Sequence, residues 1–167
     1  MYDILVDTAG KTNEIVYFGL PYGTNVLYLY VAHPANRMGR PPLPGHPGGD
    51  LPLLLHWDRQ SILAHMPEEE WLAIIPRSAP AFSPTPSRPG RIVEELRRTR
   101  RRGYAIDNSE RDPNVRCVGV PVYNSAGKLV AGVSTSGPAI TMTDEKLMEC
   151  AGILQNAALR MRERIYR

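Results

Sequence analysis

Cysteine is scarce in this 167-residue chain, which holds only Cys117 and Cys150 and no Cys-x-x-Cys spacing. That excludes a disulfide framework and a cysteine-built zinc site, and both positions read as reduced thiols. Long apolar runs are missing as well. No stretch approaches the ~20 residues needed to span a bilayer, and residues 1–10 carry Asp3 and Asp7 where a secretory leader would have a basic start and an apolar centre. A cytoplasmic protein with no membrane partner is expected. Charge of either sign is hardly in excess, the formal net charge being +3. His33, His46 and His65 share no metal-ligand spacing. With no phosphate-cradling glycine loop, oxyanion glycine motif or paired catalytic histidine, neither a metal, a cofactor nor turnover is expected.

What the chain does have is the length and make-up of a single globular domain over 1–167, with 43% hydrophobic and 22% charged residues. Its arginines are unevenly placed. Arg97, Arg98, Arg100, Arg101 and Arg102 crowd one segment, and Arg160, Arg162, Arg164 and Arg167 crowd another. Both runs close predicted helices, where each cation offsets the negative end of the macrodipole by ~0.3–1 kcal/mol. Gly103 then stands where a helix stop is expected. No zinc-finger spacing, RNA-binding aromatic motif or helix-turn-helix accompanies the arginines, so no element for docking on DNA is expected within these residues.

Along the chain the order of elements is mixed. Residues 3–8 fit either the end of an incoming helix or the start of a strand. Residues 14–20 and 25–31 are β-branched and aromatic runs parted by Pro21-Tyr22-Gly23-Thr24, which predicts a hairpin. Six prolines and four glycines between 33 and 52 bar a central strand or regular helix and predict a long loop, either over a pocket mouth or disordered. Asp58 reads as an N-cap for a helix over 58–66, with Ile62, Leu63 and Met66 as its apolar stripe, and a second helix follows over 68–75. A Pro/Ser loop over 76–90 leads to a helix ending at Arg102. Thr143 caps the last helix, in which Leu147, Ala151, Leu154, Ala158, Met161 and Ile165 recur at steps of four and three. That seam is expected to pack mainly on the domain's own sheet.

Residues 103–138 carry the chemistry. Two strands joined by Asn124-Ser125-Ala126-Gly127-Lys128 would bring Asp107, Cys117, Ser134 and Ser136 together, offering a carboxylate, a thiol and two hydroxyls to a buried small molecule. Cys117, His56 and Asp107 also admit a nucleophile, base and orienter reading. A cysteine inside a strand is more often a buried small hydrophobe, so binding is preferred to catalysis.

The string Gly103-Tyr104-Ala105-x-Asp107-x-x-Glu110, then Val115-x-Cys117-Val118-Gly119-x-Pro121-Val122, the turn, and Val133-Ser134-x-Ser136-Gly137-Pro138 resembles the effector-binding C-terminal domain of IclR-type transcriptional regulators. Leu51-Pro52-Leu53, the run 61–66 and the acidic 67–70 resemble that family too. The resemblance implies an α+β, GAF-like domain, a central antiparallel sheet with helices packed on its faces, that senses a small-molecule effector without being an enzyme. It implies Asp107, Cys117, Ser134 and Ser136 as polar contacts and Val115 as an apolar wall. It also implies a homodimer or tetramer, and a winged helix-turn-helix domain that these residues do not contain. The expectation therefore covers a fragment of a longer regulator or a free-standing relative, the latter a ligand-binding protein or a cysteine-dependent enzyme.

One departure from the family bears on specificity. The small residues that open the helix after Pro-Leu-His, where backbone N–H groups meet an effector carboxylate, are here replaced by Leu54, Leu55, His56, Trp57, Asp58, Arg59 and Gln60. A capping Asp58 would occupy those donors and repel an anion, and the Trp57 ring would reshape the cavity. The effector is thus open between an acid held by Arg59 or His56 and a neutral, aromatic or amine ligand held by Asp107, Asp58 and Trp57.

Overall fold

In the computed structural model the residues described are 1–23, 25–37, 50–52, 57–78, 89–109 and 112–165. Strands β1 (Ile15–Tyr22), β2 (Asn25–Ala32), β3 (Asp50–Pro52), β4 (Ala105–Asn108), β5 (Val115–Tyr123) and β6 (Leu129–Pro138) form one six-stranded antiparallel sheet in the order β3-β2-β1-β6-β5-β4. The last strand in sequence is thus central, between β1 and β5. Its hairpin with β5 is closed as the turn residues require. Asn124 Oδ1 accepts from the Lys128 N–H at 2.8 Å and Gly127 takes a φ of 77°.

Two helical layers cover the sheet. Helices α1 (Tyr2–Thr12) and α5 (Asp144–Arg162) bury Ile4, Leu5, Leu147, Ala151, Leu154 and Met161 against the side chains of Val16, Phe18, Val118, Val120, Val122 and Val133. Thr143 caps α5, accepting from the Lys146 N–H at 3.2 Å, and the seam read from the sequence packs on the sheet. Residues 3–8 are helical, as part of α1. Asp3 bonds the N-terminal amine and Arg164, two residues past α5, while Asp7 bonds Arg160 of α5 and Lys11, and these partners hold both carboxyls below the usual range.

The opposite face carries α2 (Trp57–His65), α3 (Glu68–Ser78) and α4 (Pro89–Arg102), which enclose Ile15, Tyr17, Val26 and Tyr28 with Ile62, Leu63, Trp71, Ile75 and Leu96. Pro89 suits the first turn of α4, where its missing N–H costs nothing. Gly103 ends that helix at a φ of 80°. The arginine run does more than offset its own dipole. Arg100 donates to the carbonyls of Ala64 and Met66, closing the C-terminus of α2, and its guanidinium lies 4.6 Å from the Trp71 ring centroid.

Several expectations need correction. The end of the 33–52 loop forms β3, an edge strand pairing with Asn25–Leu27 where proline costs little, and residues Ala35–Arg37 form a short 3-10 turn. Helix α3 continues past Pro76 to Ser78, three residues into the expected 76–90 loop. Helix α2 already includes Trp57, so Asp58 lies inside the helix and is not its N-cap. The strand β4 was not anticipated. The bodies of both loops, 38–49 and 79–88, lie outside the described residues.

Candidate functional site

The register of four strands assembles the sequence-predicted residues. Asp107 faces Cys117, Cys117 faces Ser136, and Ser136 faces Ile15, forming one row across β4, β5, β6 and β1. The adjacent row is Ala105, Gly119, Ser134 and Tyr17. Since side chains alternate along a strand, both rows project to the face covered by α2, α3 and α4. Small residues dominate them, and glycine at 119 contributes no side chain at all. The result is a floor with polar groups and little bulk.

That floor is closed to water. Asp107, Cys117, Ser134 and Ser136 are all at most 3% exposed, and Val115 is buried beside Cys117 in a small apolar cluster of its own. Helix α2 forms the ceiling, packing on β5 and β6. Trp57 and Asp58 lie in its first turn, His56 falls outside the described residues, and the side chains of Trp57 and Asp58 are likewise not among those described. Among the described residues, the Oγ atoms of Ser134 and of Ser61 are buried without a hydrogen-bond partner. Leaving a buried hydroxyl unpaired costs about 1–3 kcal/mol. Two of them stand in neighbouring elements, one on α2 and one on β6.

Ser61 was not among the residues singled out from the sequence. It lies in a run, Ser61-Ile62-Leu63-Ala64, whose four members are all fully buried. One signal was available: it is the lone hydroxyl in an otherwise apolar turn. Tyr17 escaped notice for a similar reason, because its alternation places it on the floor but its aromatic ring reads as core. An open cleft of about 400 Å³ lies beside the start of β4 and is lined by His65, Gly103, Tyr123, Gln155 and Arg162 among others. Burial holds the His65 imidazole below its ordinary pKa, and its Nδ1 lies 2.7 Å from the Ser61 carbonyl.

Neither thiol is accessible to solvent. Cys117 and Cys150 are both fully buried, and burial pushes the Cys150 thiol up to about 11. A reactive cysteine needs an accessible thiolate with a lowered pKa. In the native protein at neutral pH, iodoacetamide should therefore modify both cysteines slowly, and addition of denaturant should release both together. Mass spectrometry of the time course checks this, and rapid native labelling of Cys117 would contradict it.

The described geometry is matched by known domains. The family described as "Bacterial transcriptional regulator IclR C-terminal" matches residues 3–162. The chain belongs to the IclR C-terminal domain family. The crystal structure of the Thermotoga maritima IclR aligns with a TM-score of 0.87 at 32% identity, over 98% of this chain and 66% of that one. The "HTH-type transcriptional regulator BhcR" of Paracoccus denitrificans is 43% identical over 70 residues, 42% of this chain and 25% of the relative. A double mutant of the inducer-binding domain of the PobR transcription factor from Acinetobacter, solved with 3-hydroxybenzoic acid, shares the fold with a TM-score of 0.86 at 18% identity, over 98% and 95% of the two chains. Aligned segments of the curated relatives make up between 25% and 42% of their length. The α+β architecture expected of an IclR-type domain is the one found, and the family is one of regulators, not enzymes.

Proposed function

We propose that this domain senses a small molecule held between α2 and the floor formed by Asp107, Cys117, Ser134 and Ser136, with Val115 as an apolar wall. The carrying observation is that floor: four polar side chains, water-excluded and in register, with the Ser134 hydroxyl left without a partner among the described residues. Low-volume side chains beneath a helix leave room that a small guest can take up, and buried polar groups set the orientation of what enters. The His56–Asp58 segment, at the opening of α2, tunes the choice between an acid, an aromatic and an amine. The PobR domain, with its bound hydroxybenzoate, supports the reading as a fold-level precedent.

Occupancy acts through assembly. A ligand shifts an equilibrium only by its differential affinity for two states, so sensing requires that the homodimer or tetramer with ligand differ from the one without. In the intact regulator a winged helix-turn-helix domain outside these residues would read that difference on DNA, in the cytoplasm. A thermal-shift screen of metabolites identifies the ligand, because a compound that binds the native state raises the midpoint. Changing Ser134 and Ser136 together to alanine should then weaken that compound at least about tenfold in calorimetry, each lost hydrogen bond to the ligand contributing on the order of 1 kcal/mol. The unfolding midpoint without ligand should change little. Unaltered affinity would remove the floor from the binding site.

A further inference from the structure

The ceiling of this site contains a polar contact of its own. Ser61 precedes His65 by four residues on α2, so the two share a helix face. The His65 ring meets Tyr123 edge-on, with centroids 6.3 Å apart, and Tyr123 lies on the same side of β5 as Cys117 and Gly119. Ser61 is therefore turned to the sheet, one helical turn before His65, and it is fully buried there. Its Oγ has no hydrogen-bond partner among the described residues, and neither has Ser134 Oγ on the floor. A serine in a helix usually satisfies its hydroxyl on the carbonyl four residues back. Thr8 and Thr12 of α1 do so, bonding to Ile4 and Thr8. Ser61 does not.

The polarity of the surroundings narrows what it meets. The two floor rows carry Asp107, Ser134, Ser136 and Tyr17 and contain no lysine, arginine or histidine. Arg116, the basic residue within β5, points to the other face and holds the Met142 carbonyl and Asp144 at the start of α5. Resting on the effector-site reading above, we propose that Ser61 is a specificity-determining contact that, with Ser134, grips an uncharged, hydroxyl-bearing end of the ligand between α2 and the sheet. A hydroxyl group can donate to one serine and accept from the other, whereas a carboxylate can only accept and would bring a charge onto two rows that hold no lysine, arginine or histidine.

The test uses wild type, Ser61→Ala, Ser61→Thr and the Ser134→Ala/Ser136→Ala double variant of the chain. Isothermal titration with glycerol, erythritol, xylitol and inositol is set against propionate and butylamine, at concentrations low enough that nonspecific stabilisation by polyols is negligible. The expected result is saturable binding of at least one polyol, weakened about tenfold by Ser61→Ala and preserved by Ser61→Thr. Without ligand, Ser61→Ala should unfold at the same or a higher midpoint, since it removes an unbonded hydroxyl and adds the best helix former. Equal affinity in wild type and Ser61→Ala overturns the inference. So does saturable binding of propionate or butylamine with none of the polyols. The double variant separates the two levels. If it abolishes binding of a probe that Ser61→Ala leaves untouched, the floor site stands and the Ser61 role falls; if no probe binds, or the double variant binds like wild type, the site reading falls too.

Discussion

Replacing Trp71 by alanine should lower the unfolding free energy by about 3–5 kcal/mol, the range for deleting a fully buried large aromatic. The residue is 1% exposed and packs among Ile62, Leu63, Ile75 and Leu96 in the core between the sheet and the α2–α4 layer. Its indole N–H donates to the Leu63 carbonyl at 2.6 Å, and the Arg100 guanidinium covers its face. Trp71 thus ties α3 to α2, and Arg100 ties both to α4. Domains of this kind are stable by about 5–15 kcal/mol in all, so the loss approaches the whole margin at the lower end. Urea denaturation measures it. Trp71→Phe keeps most of the apolar volume and should cost clearly less, because the Leu63 carbonyl also accepts from the Met66 N–H. The consequence for sensing follows from position: the ceiling over Ser134 is α2, and its loosening should weaken the ligand even in conditions where Trp71→Ala remains folded.

What could be read from the sequence followed how local each feature is. Helix α5 was legible from its Thr143 cap and acidic first turn through Met161, because these signals are local; only Ile165, read as the last seam position, falls past the helix end at Arg162. The β5–β6 hairpin was equally plain, because a five-residue turn with Asn124 and Gly127 admits few structures. The floor came with it: once two strands are antiparallel, alternation alone brings Cys117 and Ser136 to one face. Other features depend on partners distant in the chain. Strand β4 has four residues, too few for alternation to show, and exists because β5 offers it an edge. Strand β3 emerges from a proline-rich stretch that tolerates a strand only at a sheet margin. The role of Arg100 could not be read locally, because the carbonyls it closes lie 34 and 36 residues back along the chain. Ser61 is the most instructive case. Its spacing says core, and only the sheet beneath α2 reveals that a hydroxyl has been buried there without a partner.

A second large effect is expected one residue from the floor. Gly137 lies between Ser136 and Pro138 on the central strand β6, and its Cα faces the layer opposite the site. A Cβ added there would stand 2.5 Å from both Cδ and Oε2 of Glu14 and 2.8 Å from Oε1. Those are distances at which something must move, and Glu14 is itself only 3% exposed. Its carboxylate cannot swing into water without opening the packing around α5. Gly137→Ala should therefore cost about 1–3 kcal/mol, as overpacked interiors do, measured by chemical denaturation. The cause can be isolated with a double-mutant cycle, because shortening the carboxylate side chain in Glu14→Ala removes the obstacle. Adding Gly137→Ala to that background should then cost markedly less, giving a coupling of at least about 0.5 kcal/mol. Strict additivity would assign the cost to the strand itself and not to the carboxylate. Because Arg116 pairs with Gly137 from β5 and Ser136 is its neighbour in the chain, displacement of β6 at this point should also shift the floor hydroxyl. The single variant is accordingly expected to bind the effector less tightly than wild type, and the Glu14→Ala double variant to recover part of that affinity.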